Sequence, residues 1–373
     1  MLRGSESGHR QATWIELFFD LIFVVAASQL ATLLLENVSW WGVTLYTAVY
    51  LAVWLSWITA TFYANRFDAD DLSQRLITFA QMLTVAGMAA SVAEQAAIQF
   101  AVSIALFRLL MAISYARVRR AMPGDAGFAN RMIGLMSVTA AIWIASVFID
   151  GRPRLAVWAV AMCLEIGVSL LRSTRERRAA IPIHVRHLVE RFGLFTIIVL
   201  GETVLAVVIG VAHAHWVASA VVFAAIGLTL SFSLWWIYFE TLSGSPLENM
   251  GGHRPAVWVY GHAPLIMAIT ALGVGIEVAV FTEFGEQLAT ADAMMLGGSL
   301  AVALFALGIL LAAEADSAVW VRTFLARLPA VVLALLVGLL PISAQAVLVG
   351  LAVIAAVQAI IDVRASRRRQ VQI

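Results

Sequence analysis

Leu188-Val-Glu190-Arg191-Phe-Gly-Leu-Phe-Thr-Ile-Ile-Val-Leu-Gly-Glu202-Thr-Val-Leu-Ala-Val-Val-Ile-Gly210 is the stretch that decides the fold. Its charges stand at the start, with one carboxylate alone near the middle. All the rest is apolar or small. A helix of roughly 20 such residues crosses a hydrocarbon core about 30 Å thick. A water-exposed helix would keep a broad polar face, and none exists here. Backbone N–H and C=O groups in lipid have to be satisfied within the segment, so the run is a helix.

Runs of this kind fill the chain. Of its 373 residues 62% are hydrophobic and only 13% are charged, about half the charge of a soluble domain. Mean hydropathy is +0.92. A soluble fold would have to enclose nearly every helix on all sides, which this length does not allow. The expected class is all-α: a polytopic transmembrane helical bundle of about twelve spans. The spans are expected near 14–35, 42–64, 74–93, 97–118, 131–149, 154–172, 188–210, 216–239, 256–280, 292–313, 321–340 and 342–362. The alternation of a β-barrel is absent.

All 24 basic residues are arginine. Without lysine there is no retinal or pyridoxal Schiff base and no Walker-A loop. Arginine placement tests the span count independently. With the N-terminus inside, all but five arginines fall in cytoplasmic segments. Arg191 and Arg327 sit at inner ends of spans and Arg108 lies mid-span. Arg152 and Arg154 alone fall outside. This pattern predicts a multi-pass protein of the cell (inner) membrane with both termini cytoplasmic. The first apolar run carries Glu16 and Asp20 and lacks a small-residue cleavage site, so it does not read as a cleaved signal. Cys163 is alone, which excludes an intrachain disulfide. Net charge is +1, so nucleic acid is not an expected partner; the lipid bilayer is.

The chain reads as two halves. Span 1 opens Trp14-Ile-Glu16-Leu-Phe18 and span 7 opens Leu188-Val-Glu190-Arg-Phe192, each with Glu-x-Phe. Spans 2 and 8 end in Thr61-Phe62-Tyr63 and Trp236-Ile237-Tyr238, at nearly equal spacing from those glutamates. The order predicts six spans over 14–172, an Arg-rich cytoplasmic linker over 173–187 and six spans over 188–362, related as a parallel repeat. The alternative is a chance likeness between hydrophobic helices.

Charges inside a bilayer cost at least a few kcal/mol each, so each needs a partner or a wet cavity. Glu16 and Asp20 are four apart and share one face of span 1. Like charges so close either share a proton or meet a cation. On span 7, His184, His187, Arg191 and Glu202 fall on one face at about 100° per residue. That row could carry protons or cations, or be a buried ion pair with interfacial histidines. Arg108 keeps its charge at any depth, so a carboxylate should meet it; Glu202, Glu165 and Asp20 are the candidates. Span 9 carries His262, then Pro264, which withholds a helix hydrogen bond at Tyr260, then Glu277. Glu190 and Glu240 complete the set of ion- or proton-binding candidates.

The loop Asn65-Arg66-Phe67-Asp68-Ala69-Asp70-Asp71 holds three aspartates that could grip a divalent cation beside a lipid phosphate. Helix capping and salt bridges are the favoured reading of the same residues. His213-Ala-His215 lacks a third metal ligand nearby. No His-Glu-x-x-His or Gly-x-Ser-x-Gly motif occurs, so no catalytic residue is assigned. No cofactor is expected.

Glu16-Leu-Phe-Phe-Asp20-Leu-Ile-Phe, Tyr63-Ala-Asn-Arg66-Phe-Asp68-Ala-Asp70-Asp71 and Glu190-Arg-Phe-Gly-Leu-Phe-Thr-Ile-Ile-Val-Leu-Gly-Glu202 resemble the low temperature requirement A family of bacterial membrane proteins. Trp236-Ile-Tyr238-Phe239-Glu240 and His262-Ala-Pro264-Leu, with Glu277 beyond, are similar to its later motifs. The resemblance runs from about residue 14 to 280. It implies a link to growth in the cold and supplies no biochemical activity. The function expected from the charges is a proton- or ion-coupled transporter or channel-like protein with an ion or small-molecule substrate. The alternatives are a membrane scaffold whose buried charges lock helices, and a metal-dependent enzyme on lipid-linked phosphate. Oligomeric state is not encoded in these features.

Overall fold

Twelve α-helices stand at the twelve expected positions in the computed structural model, which describes residues 2–3, 13–69, 71–170, 184–242, 250, 252–314 and 324–371. They are α1 Trp14–Glu36, α2 Trp40–Arg66, α3 Leu72–Ala93, α4 Ala97–Ala121, α5 Ala126–Ala145, α6 Pro153–Leu170, α7 Val185–His213, α8 Ala218–Thr241, α9 Arg254–Phe281, α10 Thr290–Glu314, α11 Leu328–Leu339 and α12 Ala344–Val371. The protein is an all-α polytopic bundle. Eleven of the helices are long and apolar enough to cross a membrane. The exception, α11, has 12 residues, or about 18 Å at 1.5 Å per residue. Within the expected span at 321–340, residues 324–325 are helical and a turn at 326–327 precedes α11, whose N-cap is Arg327 and whose first turn holds Pro329, a position where proline's missing N–H costs nothing. The linker expected over 173–187 lies outside the described residues up to 183. The strand pairing described is two residues long, Leu2–Arg3 against Asp68–Ala69.

The chain divides into two compact units: residues 1–33 with 44–191, and residues 34–43 with 192–373. In the first, α4 packs against α3 and α5, and α5 against α6. Its interior is aromatic. Trp143 and Trp158 lie 5.1 Å apart with Phe100 against both, so the α5–α6 turn is stacked onto α4. Arg154, one of the two arginines expected outside, is buried there. Its Nε donates to the carbonyls of Ser146 and Ile149 at 3.2 and 2.7 Å. These are carbonyls at a helix end, which cations favour. At the other end of the unit, Tyr63, Phe67, Tyr115 and Phe128 form an edge-to-face cluster. The Arg66 guanidinium lies 3.9 Å over the Phe128 ring and donates to Asp125.

In the second unit α9 packs on α10, α10 on α11, and α8 on α12. Helix α9 is the most enclosed of the spans, at 78% of its apolar window, whereas α6 in the first unit is the least, at 28%. The short α11 is held by a small-residue crossing. A Cβ at Gly297 would meet the Ala334 carbonyl at 2.6 Å, and one at Gly338 would meet the Ala293 carbonyl at 2.7 Å. Two backbones approach this closely only where side chains are missing.

Candidate functional site

The sequence repeats a period of four on three helices, and the first unit brings those stripes together. On α1 it sets Glu16 and Asp20; on α7, His187 and Arg191; on α2, Trp57, Thr61 and Asn65. In each case the spacing puts the residues on one helix face. Asp20 and Arg191 each stand six residues past their helix start, so each is about 9 Å along its axis. Glu16, Asp20, Asn65, Thr61, His187 and Arg191 are all buried.

Rungs join the stripes. Arg191 grips Asp20 in a two-point fork, Nε to Oδ2 at 2.9 Å and Nη2 to Oδ1 at 2.5 Å. The Trp57 indole N–H donates to the same Oδ1 at 2.7 Å. Thr61 lies 3.5 Å from Arg191 Nη2. One turn towards the helix start, His187 Nε2 meets Glu16 Oε2 at 3.2 Å, and Glu16 Oε1 lies 3.4 Å from Arg191 Nη1. Residues 16 and 20 meet 187 and 191 in the same order, so these segments of α1 and α7 run parallel. Residues 57, 61 and 65 meet them in reverse, so α2 runs antiparallel.

Glu16 also belongs to the start of its own helix. The Thr13 N–H donates to its Oε2 at 2.8 Å, and the Glu16 N–H reaches back to Thr13 Oγ1 at 3.4 Å. Thr13-x-x-Glu16 is thus a capping box. The same oxygen caps α1 and faces His187.

Asn65 sets the histidine tautomer. Its Oδ1 accepts the His184 N–H at 3.0 Å and its Nδ2 donates to the His184 carbonyl at 2.9 Å. A backbone amide has fixed donor and acceptor ends, so the orientation of the Asn65 amide is fixed too. Its Nδ2 also faces His187 Nδ1 at 3.0 Å, which makes Nδ1 the acceptor. The ring proton is then on Nε2 and donates to Glu16.

Arg108 is fully enclosed and lies elsewhere in the unit. Of its three expected partners it takes Glu165, Nε to Oε1 at 2.6 Å, and its Nη1 donates to Ser56 at 2.9 Å. Asp20 is engaged by Arg191. Arg108 Nη2 and Glu165 Oε2 are buried and make no hydrogen bond among the described residues.

The aspartate loop resolves towards capping where it is described. Asp71 is the N-cap of α3 and accepts the Gln74 N–H at 2.9 Å. Arg117 Nη2 reaches both its oxygens at 2.7 and 2.9 Å. That backbone N–H, and the guanidinium after it, hold the Asp71 carboxyl below its ordinary value. Asp70 and the Asp68 side chain lie outside the described residues, and no group of three metal-ligating side chains occurs among those described.

The other candidates belong to the second unit, apart from Glu190, which is exposed on α7. Glu202 is half-buried, about three turns beyond Arg191 on α7, and Glu240 is exposed in the last turn of α8. His262 is buried. Its Nδ1–H donates to the Trp258 carbonyl at 2.8 Å, and its Nε2 accepts the Tyr238 hydroxyl at 3.0 Å. The Phe192 and Trp258 rings lie tilted against it, their centres 4.5 and 4.4 Å from its own. It is a satisfied neutral histidine in an aromatic box. Half-buried Glu277 lies 4.0 Å from His213.

Trp57, Thr61, Asn65 and Ser56 are not among the residues expected from the sequence. The period of four on α2 was the available signal. Asp362 was also passed over. It binds Arg327 Nη2 at 2.7 Å and accepts from Gln358 at 2.9 Å, joining α12 to the start of α11.

The family model for the bacterial low temperature requirement A protein matches residues 11–360. The chain is 25% identical over 318 residues to the uncharacterized protein RA0937 of Rhizobium meliloti (strain 1021), covering 79% of this chain and 74% of that one. No solved structure matches it significantly. With a match over nearly its full length, this multi-pass membrane protein belongs to the bacterial low temperature requirement A family.

Proposed function

We propose that the protein moves protons, or a small cation coupled to them, through a path that begins at the Glu16–His187–Arg191–Asp20 cluster. One observation carries the reading: two carboxylates, an imidazole and a guanidinium from α1 and α7 meet in one buried cluster. Ionisable groups gathered inside membrane-spanning helices mark proton and ion pathways. Glu16 and His187, in contact and nearest the helix starts, are the groups that exchange the proton or cation. Asp20, forked by Arg191, holds the helices in register. Glu202, on the same helix about three turns on, is a separate candidate for binding a proton or cation in this reading. The parallel starts of α1 and α7 support two six-span halves related as a parallel repeat, and the arginine distribution supports cytoplasmic termini.

Flux into liposomes carrying the full chain, followed by a trapped pH dye under an imposed proton gradient, tests the proposal. Glu16→Gln, His187→Gln and Glu202→Gln are expected to reduce flux at least about tenfold, the scale on which relay groups act. Unchanged flux in all three, with the proteins folded, would end it.

A structural reading applies to other charges. Arg108–Glu165 and Arg327–Asp362 are buried pairs of opposite charge, each with a neutral side chain attached. In this reading they lock α4 to α6 and α12 to the start of α11.

A further inference from the structure

We propose that the corner where α4 turns into α5 binds an anionic phospholipid, its phosphate against Arg119 and Arg120 and one acyl chain along the bare face of α4. The proposal stands apart from the transport reading, since it uses no group of the Glu16–Asp20 cluster.

The face comes first. Helix α4 packs against both α3 and α5. Its inward residues, Ala105, Arg108, Met111 and Tyr115 among them, are buried. What stays bare is a line through Leu106, Leu109 and Ile113, all exposed. Spacings of three and four keep them on one helix face. Continued in the same way, the line passes half-buried Ala116 and reaches exposed Arg120. At 1.5 Å per residue Arg120 stands about 10 Å beyond Ile113 along the axis. A helix of 25 residues is about 37 Å long, against a hydrocarbon core of about 30 Å, so the last turn of α4 meets the headgroup layer.

Charge comes second. Asp125, the carboxylate of the turn itself, is engaged by Arg66, and Asp71 at the start of α3 by Arg117. Arg119 donates to the neutral Asn130 of α5 at 3.3 Å, which ties it across the turn. Arg120 is exposed beside it, and Arg131 is exposed one residue past Asn130. Neither Arg119 nor Arg120 meets a carboxylate among the described residues.

The two features call for one molecule. Guanidinium groups match phosphate oxygens in two-point hydrogen bonds, and arginine keeps its charge whatever the pH. A phospholipid supplies an anionic phosphate at the depth of the arginines and a hydrocarbon chain at the depth of the leucines. Positive charge at the end of a span needs no partner in itself. The apolar line running into this charge sets the corner apart, because it fixes a chain relative to its own headgroup.

A bimane label at exposed position 109, on a full-length Cys163→Ser, Leu109→Cys protein in liposomes, reports which lipid occupies the face. Quenching by brominated-chain phosphatidylglycerol, against phosphatidylcholine with the same chains, gives the relative affinity there. Phosphatidylglycerol should be preferred roughly 25-fold, about fivefold for each arginine beside an anionic headgroup. In Arg119→Gln, Arg120→Gln the preference should fall to near one, with thermal unfolding unchanged because both side chains are exposed. Arg364→Gln, Arg367→Gln removes two exposed arginines from the end of α12 and should leave the preference as it is. Excess inorganic phosphate should change it no more than sodium chloride of equal ionic strength.

No preference in the parent protein overturns the site. So does a preference that survives Arg119→Gln, Arg120→Gln, or one that falls equally in the α12 variant. So does one that inorganic phosphate removes and sodium chloride does not, which would make the ligand a free anion. None of these outcomes bears on proton flux, so either proposal can fail without the other.

Discussion

Arg191 on α7 grips Asp20 on α1 through two hydrogen bonds at 2.9 and 2.5 Å, in an interior where Asp20 is fully enclosed. Removing one partner strands the other, which typically costs about 3–5 kcal/mol. Asp20→Asn and Arg191→Gln should each lower the unfolding midpoint in detergent markedly. An Asp20→Leu, Arg191→Met double variant should be less damaged than Arg191→Gln alone, because only Glu16, rather than both carboxylates, then loses the guanidinium. Tryptophan fluorescence follows it directly, since Trp57 donates to Asp20.

Ser56 and Glu165 divide Arg108 unequally. Ser56→Ala removes one neutral acceptor and should cost about 1.5–3 kcal/mol, as hydrogen bonds to charged groups do. Glu165→Ala leaves the guanidinium uncompensated and should cost about 3–5 kcal/mol. Proton flux per folded molecule should be unchanged in both. A flux change in Ser56→Ala without loss of stability would move this pair out of the structural category.

Acid should act on the α2–α3 turn through Asp71. The folded protein holds that carboxyl below its ordinary value of 3.8. A group lowered on folding stabilises the fold above its unfolded value, and that contribution disappears as pH falls through the folded value. Asp71→Asn keeps the helix cap but cannot carry the charge that Arg117 meets. Its unfolding midpoint should therefore decline less than the parent's below about pH 4.

Gly297 and Gly338 leave no room for a methyl group. Each added Cβ would stand 2.6–2.7 Å from a carbonyl oxygen of the facing helix. Gly297→Leu should force α10 and α11 apart and cost at least about 1–3 kcal/mol, as overpacking does. Gly298, on the same helix with nothing within 4 Å of its would-be Cβ, should accept alanine without loss. Thermal unfolding of the two variants side by side is the measurement.

The spans were legible because a bilayer imposes one length and one polarity on every crossing segment, and arginine alternation checks the count. Much of the site was legible as well, since Glu16 with Asp20 and His187 with Arg191 announce shared faces by their spacing. Partner choice was not. Arg108 had three plausible carboxylates, and only the packing of α4 against its neighbours selects Glu165. Trp57 and Thr61 read as ordinary span residues and Asn65 as the edge of a loop. Their role exists only once α2 is laid antiparallel beside α1 and α7. Asp362 looked like the end of an apolar run until α12 brought it to Arg327. The match of Ala293 and Gly297 to Ala334 and Gly338 is a pattern of small residues four apart, which local hydropathy does not weigh.

The fork between Asp20 and Arg191 also sets a schedule for biogenesis. The partners are separated by 171 positions in the chain. At roughly 5–20 residues per second, Arg191 leaves the ribosome on the order of 10–30 s after Asp20. Throughout that interval α1 has an acidic group about 9 Å along its axis without the arginine that grips it in the folded protein. The first helix can enter the bilayer neutralised by a proton or wait at the insertion machinery; either way its final seating comes after synthesis of the seventh. The order in which this bundle closes is thus written into which arginine answers which aspartate.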